Sequence, residues 1–64
     1  MNRYMKSITS PIQLFTAKLD GTPIAVFIGL EMVGCGKIDE ITDFIVKIGD
    51  EFYVRDACTF KYVI

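Results

Sequence analysis

The side chains that nucleophilic, acid–base or metal chemistry uses are few in this chain. Its 64 residues include two cysteines, no histidine and eight carboxylates, among them Asp39, Glu40 and Asp43. Without histidine a thiol has no imidazole base, and a zinc site lacks one of its usual ligands. In an extended strand, adjacent side chains point to opposite faces, so the three acids do not converge. We therefore expect no catalytic residue, no metal site and no cofactor, and hence a binding protein rather than an enzyme.

The first element that positions the remaining side chains is a short helix. Ser10 as N-cap, Pro11 at the first helical position and Gln13 reaching back form a capping box. Gly21 is suited to end the helix, and Pro23 prevents its continuation. The sequence predicts a helix over about residues 11–19. Apolar residues at helical spacing are expected to face the core, and these are Ile12, Phe15 and Leu19.

After this helix the apolar period changes to two, which predicts strands. Five segments are expected, at about residues 23–30, 32–41, 43–48, 51–55 and 59–63. Gly34 and Gly36 predict a sharp bend inside the second of them, and Gly49-Asp50 predicts a two-residue hairpin turn. Five short, bent, antiparallel strands predict a small and strongly curved barrel. The expected fold class is mainly β, one domain over residues 1–64 with one N-terminal helix.

Composition adds an argument for self-association. Hydrophobic residues make up 52% of the chain and the mean hydropathy is +0.40, which is high for so short a protein. A chain of about 60 residues buries only about 60% of its extended surface, so a lone monomer is marginal. With too few cysteines for a disulfide framework and no zinc site, oligomerisation is the remaining source of stability. We expect surplus apolar surface to lie between subunits.

The charge balance argues against a general polyanion binder. The net charge is −1 and the isoelectric point about 5.1, whereas such proteins carry a basic patch. Residues 1–37 hold four basic and two acidic side chains, and residues 38–64 hold three basic and six acidic ones. Any nucleic-acid contact is therefore expected to be local. No apolar run is long enough for a signal peptide or a bilayer span, and two free cysteines suggest a reducing compartment, so we expect a cytoplasmic protein without a membrane partner.

Four passages, in this order, carry a resemblance to a known family. They are Ser10-Pro11 at the helix start, residues 23–28 (PIAVFI), residues 36–44 (GKIDEITDF) and residues 53–57 (YVRDA). Over residues 9–64 the chain resembles the Sm-like superfamily, and within it the bacterial Hfq-type RNA chaperones. The resemblance implies an Sm-like, SH3-like barrel whose fourth and fifth strands join neighbouring subunits in a homo-oligomeric ring, usually a hexamer. It also implies binding of U-rich or A-rich single-stranded RNA by base stacking, with no DNA specificity expected.

One RNA site implied by the resemblance lies on the helix-bearing face, around the pore. Phe44, preceded by Asp43, is similar to the stacking aromatic of that site, and Arg55 matches the lysine of the family signature. Asp56 stands where the family has histidine, and Thr9 or Ser10 stands where its base-contacting glutamine is expected. An acid at this place repels phosphate. Two alternatives stay open from the residues alone: Phe44 as a core side chain, and Arg55 as a solvated charge or the ion-pair partner of either aspartate.

A second site implied by the resemblance lies on the opposite face. Phe27 matches a stacking tyrosine and Met32 an apolar wall residue, and Gly34 and Cys35 follow at the next matched positions. Val33 replaces a lysine, and Cys35 replaces the amide side chain that reads adenine, so two polar groups are missing. The alternative is that these four site residues are simply parts of a bent strand, with the cysteine as a small buried hydrophobe.

Two functions therefore follow as hypotheses. The first is a ring that binds single-stranded RNA by stacking on aromatic side chains. The second is an Sm-like or SH3-like oligomeric module for protein interaction or assembly that has lost RNA binding. The aromatic and arginine positions favour the first, whereas the acidic isoelectric point and the substituted signature favour the second.

Overall fold

A computed structural model describes residues 6–63 of the chain. The predicted domain spans residues 1–64, of which residues 1–5 and 64 lie outside the described range. Arg3, one of the four basic side chains counted in residues 1–37, is among them. The described part confirms a mainly β fold with one helix. Its elements are α1 (Pro11–Asp20), β1 (Ile24–Ile28), β2 (Glu31–Gly36), β3 (Ile38–Ile41), β4 (Ile45–Ile48), β5 (Glu51–Val54) and β6 (Thr59–Tyr62).

The strands form two antiparallel three-stranded sheets, in the orders β2-β1-β6 and β3-β4-β5. The described residues contain six strands in two sheets and no closed barrel, so the mainly β class is confirmed, whereas the finer expectation of one five-stranded, Sm-like barrel stays a prediction. The expected second strand, 32–41, divides at Lys37 into β2 and β3, one in each sheet. The cause lies at Gly36, whose φ of 153° favours glycine and where a Cβ would lie 3.0 Å from Cγ2 of Ile48.

The helix begins and ends as its capping residues predict. The Ser10 hydroxyl accepts from the Gln13 N–H at 3.4 Å, and the Gln13 side-chain oxygen accepts from the Ser10 N–H at 3.2 Å. At the other end, Gly21 has a φ of 69° and Thr22 donates its N–H to the Ala17 carbonyl at 3.0 Å. The capping box and the glycine stop are confirmed. At ten residues, α1 is too short to cross a bilayer, and residues 6–63 hold no other helix.

The predicted buried face of α1 is wrong. Ile12, Phe15 and Leu19 are all exposed, and the helix instead buries Leu14 and Ala17. At about 100° per residue, these two lie on roughly the opposite side of the helix from the predicted stripe. The helix is therefore apolar on two sides. Only one side contacts the sheets, and the spacing of apolar residues does not tell which.

The core lies between the two sheets and under α1. Ile24 and Val26 of the first sheet and Val46 of the second are fully buried. Phe60 of β6 joins them, and Tyr53 of β5 packs against the same cluster while half-buried. Contributions from both sheets and the helix explain how so short a chain still closes a core.

Two further features define the sheet edges. Gly49, with a φ of 62°, begins the two-residue turn that joins β4 to β5, as predicted. Along the outer edge of β6 runs a segment that precedes the helix, residues 6–8. The Ile8 N–H donates to the Phe60 carbonyl at 2.8 Å, and the Tyr62 N–H donates to the Lys6 carbonyl at 2.9 Å.

Candidate nucleic-acid interface

An open cleft of about 270 Å³ lies where the chain enters α1. Its walls are the residues just before and at the start of the helix, those between β5 and β6, and the first two residues of β6. Three of the predicted site residues line it together, namely Thr9, Arg55 and Asp56. The structure thus brings Arg55 and Asp56 of the family-like passage 53–57 next to Thr9 at the helix start, although they are more than forty positions apart in the sequence.

Phe44 lies on the short loop that precedes β4, next to this cleft. The Thr42 hydroxyl accepts from the Phe44 N–H at 3.2 Å and from the Ile45 N–H at 3.0 Å, and the Thr42 N–H donates to the Ile45 carbonyl at 2.9 Å. These bonds fix a tight turn, as a threonine hydroxyl does at such positions. The Phe44 side chain is 76% exposed, which excludes the alternative that it is a core residue. Asp43, in the same turn, is also exposed.

Arg55 connects the loop and the cleft. Its backbone N–H donates to the Phe44 carbonyl at 2.8 Å, and its guanidinium donates to the Thr42 carbonyl. Within residues 6–63 it forms no ion pair with Asp43 or Asp56, so that alternative is not what holds it. A guanidinium has five N–H donors, and the structure uses one of its nitrogens on the loop. The half-buried side chain is therefore held in place at the wall of the cleft, with donors in excess of this one bond.

The other two members of this set are less suited to contact a base. The Thr9 N–H and hydroxyl both donate to the Gln13 side-chain oxygen, at 2.8 Å and 3.3 Å. The threonine thus extends the helix cap. Asp56 is exposed in a turn closed by the Ala57 N–H and the Val54 carbonyl at 3.1 Å. Its negative charge at the cleft disfavours a phosphate nearby and leaves Arg55 as the cation of the site.

The second predicted set lies on the first sheet, where Phe27, Met32 and Cys35 are on the side away from the core cluster and Gly34 is on the side that faces the second sheet. Phe27 is only 7% exposed. The Lys61 ammonium lies 4.8 Å from the centroid of its ring, a cation–π contact across the sheet. A base can stack on this ring only after the lysine moves aside. Met32, paired with Phe27 across β1 and β2, is exposed beside it.

Gly34 and Cys35 have separate structural settings. A Cβ at Gly34 would overlap the Tyr53 hydroxyl and lie 2.6 Å from the tyrosine Cζ. The aromatic side chain of Tyr53, on β5, therefore packs directly against the backbone of β2 at Gly34. Cys35 pairs with Ala25 and is exposed, which corrects its interpretation as a buried hydrophobe. The structure therefore gives Gly34 a packing role between the sheets and leaves Cys35 on the surface.

Two residues of these surfaces were not predicted. Thr42 organises the loop that presents Phe44, and a threonine between two strands is a turn signal because its hydroxyl can accept from nearby backbone N–H groups. Lys61 covers Phe27, and no pattern in the sequence reveals this because the contact depends on the pairing of β1 with β6. In the part of the chain that the structure describes, no three acidic, cysteine or histidine side chains cluster as a metal site would require.

Comparison with protein-family models, with curated proteins and with solved structures finds no match for this chain. The residues themselves therefore carry the functional argument.

Proposed function

We propose that this protein is an Sm-like, Hfq-resembling protein that assembles as a homo-oligomeric ring and binds single-stranded RNA by base stacking. The observation that carries the proposal is the pairing of an exposed aromatic with a fixed cation. Phe44 projects into solvent from a turn that Thr42 holds, and Arg55 is bonded to the backbone of both residues. An aromatic face next to a cation suits an unpaired base and its phosphate.

The positions of the two side chains support a separate role for each in RNA binding. Phe44 offers its ring to a base, which gains about 1–3 kcal/mol from stacking and needs no particular sequence. Arg55 contacts phosphate or the base edge with its planar donor fork. Asp56 and Asp43 limit the number of phosphates that the surface attracts, so binding depends on stacking more than on counter-ion release. Affinity is then expected to be modest and to rise when several subunits present the site together.

The open edge of β5 supports the ring. β5 has an unpaired outer edge in the described structure, with the side chains of Phe52 and Val54 exposed on it. An exposed apolar edge strand is a template for pairing with another chain, and closing a ring removes such edges. In the proposed ring, β5 of one subunit pairs with β6 of its neighbour. This pairing would also cover exposed apolar side chains at the β5 edge, part of the surplus apolar surface expected from the 52% hydrophobic composition.

A second candidate function, an oligomeric protein-interaction or assembly module without RNA binding, rests on a different observation. Ile12, Phe15 and Leu19 form an exposed apolar stripe on α1, opposite the side that packs on the sheets. Apolar side chains grouped in this way often mark a protein-binding surface. The Lys61 ammonium over Phe27 also closes the second stacking surface.

The two functions are separated by a titration at low salt. Fluorescently labelled oligouridylate and oligoadenylate are mixed with the full chain, and anisotropy is followed beside a duplex DNA of equal length. The RNA proposal predicts saturable binding of at least one single-stranded RNA, weakening as salt rises, and little binding of the duplex. No binding of either RNA at high micromolar protein would reject it and favour the interaction module.

A further inference from the structure

The outer edge of β6 is already occupied by the protein's own chain. Residues 6–8 run antiparallel to it, with Ser7 opposite Lys61. The Phe60 carbonyl accepts from Ile8, and the Tyr62 N–H donates to Lys6. Ile8 is half-buried and packs against the core cluster. We call residues 6–8 the edge segment.

The open edge of β5 offers matching groups. The Arg55 N–H bonds to the Phe44 carbonyl, which continues the pairing of β5 with β4. In an antiparallel ladder alternate residues face the same neighbour. The backbone groups of Phe52 and Val54 therefore face away from β4, toward the open edge. β5 and β6 are each four residues long, so both edges present two outward residues.

We infer that the edge segment and β5 of a second copy compete for the same backbone groups of Phe60 and Tyr62. This inference rests on the proposed ring. While the edge segment is docked, β6 has no free edge for a neighbour, and the chain protects its own assembly surface. The ring closes only where the edge segment is released, so residues 6–8 act as an autoinhibitory strand.

The structure allows this release without loss of the helix. Thr9 and Ser10 donate their N–H groups to the Gln13 side chain at 2.8 Å and 3.2 Å, which anchors the chain at the helix cap directly after the edge segment. The edge segment can therefore move away from β6 while Thr9 and Ser10 stay bonded to the helix. Because β5 of a neighbour supplies the same kind of backbone hydrogen bonds, the exchange is close to balanced and is sensitive to small changes in the edge segment.

Release also changes the cleft at the start of α1. Ile8 and Thr9 line this cleft together with Phe60 of β6. Moving the edge segment removes Ile8 from its wall while Thr9 stays on the helix cap. Assembly and the shape of the proposed RNA site are therefore coupled through two consecutive residues.

The test compares two proline variants of the full chain by sedimentation velocity over a range of concentrations. Ile8→Pro removes the N–H that donates to Phe60. Ser7→Pro introduces the same proline side chain at the residue between Lys6 and Ile8, where it removes neither of the two hydrogen bonds to β6. It is therefore the matched control. We expect Ile8→Pro to reach half-assembly at a roughly two- to tenfold lower concentration than wild type, the effect of about one backbone hydrogen bond. Ser7→Pro should differ less from wild type.

Amide hydrogen exchange on the wild-type chain gives an independent readout, which also decides the matter if Ile8→Pro does not fold. The Ile8 amide should lose protection on assembly, whereas the Tyr62 amide, which changes partner, should stay protected. If wild type assembles with the Ile8 amide still protected, the competition is refuted and the ring stands. If neither wild type nor Ile8→Pro assembles at any concentration, the ring is refuted and this inference with it.

Discussion

The backbone N–H of Arg55 donates to the carbonyl oxygen of Phe44 at 2.8 Å. This bond extends the pairing of β4 and β5 by one residue pair, beyond Ile45 and Val54, and so places Phe44 and Arg55 opposite each other on neighbouring backbone segments. The second bond of Arg55, to the Thr42 carbonyl, closes the loop from its other end. The two side chains proposed to contact RNA are therefore positioned by main-chain bonds, which makes their arrangement testable through the loop as well as through the side chains themselves.

Thr42→Val tests whether the turn that presents Phe44 matters for binding. Valine has nearly the same shape but cannot accept from the Phe44 and Ile45 N–H groups. We expect a loss of about 1 kcal/mol in the free energy of unfolding. We also expect weaker binding of oligouridylate, because the turn no longer holds the Phe44 side chain outward. Urea unfolding and anisotropy measure the two effects. Thr42→Ser retains the hydroxyl and should bind like wild type, whereas equal binding by the valine variant would show that the turn has no part in recognition.

Arg55 is tested by the dependence of binding on salt. Arg55→Ala removes one cation from the cleft, so the slope of log K against log salt should fall in magnitude by about one. Arg55→Lys keeps the charge but lacks the planar fork that reaches the Thr42 carbonyl. We expect it to keep the salt slope and to bind more weakly than wild type. An unchanged slope in the alanine variant would exclude a phosphate contact by this residue.

The close approach of Tyr53 to Gly34 predicts a large effect of one methyl group. In Gly34→Ala the new Cβ would overlap the tyrosine hydroxyl and crowd Cζ, and overpacking of this kind costs about 1–3 kcal/mol. Urea unfolding should show this loss. Tyr53→Phe removes the nearest atom, so it should recover part of the stability when combined with Gly34→Ala. A Gly34→Ala variant as stable as wild type would contradict the packing described between β2 and β5.

The two apolar sides of α1 predict opposite responses to the same substitution. Leu14 is 5% exposed and Leu19 is 83% exposed. Leu14→Ala should lose about 2–5 kcal/mol of unfolding free energy, as large-to-small core substitutions do. Leu19→Ala should change it by no more than about 0.5 kcal/mol in the monomer. Denaturation of both variants at low protein concentration checks this. A greater loss for Leu19→Ala would restore the helix orientation that the spacing alone predicted.

Features with local chemistry could be predicted from the sequence. Ser10, Pro11, Gln13 and Gly21 determine both ends of α1 through bonds that span at most five residues, and the glycine at position 49 determines its hairpin turn in the same way. The bend near Gly36 was also expected. Its consequence was not, because whether a bent strand remains one ladder or divides between two sheets depends on what packs against the bend, here Ile48.

Features that depend on distant pairing could not be predicted. α1 has apolar residues on two sides, and only the packed structure reveals that Leu14 faces inward. Lys61 covers Phe27 because β1 pairs with β6 in one register. The edge segment at residues 6–8 has no strand signature of its own and is held by hydrogen bonds to the far end of the chain. In contrast, the turn that carries Phe44 is held by a nearby threonine and was within reach of local turn chemistry.

The most direct test of RNA binding is an oligouridylate titration of wild type and Phe44→Ala at low salt. Because the ring is 76% exposed, its removal should leave folding unchanged. Loss of one stacking contact of about 1–3 kcal/mol should weaken binding about five- to 150-fold. Phe15→Ala, an exposed phenylalanine on α1 away from the cleft, should bind as wild type does. Binding by Phe44→Ala that equals wild type, or no binding by wild type, would contradict the proposed function.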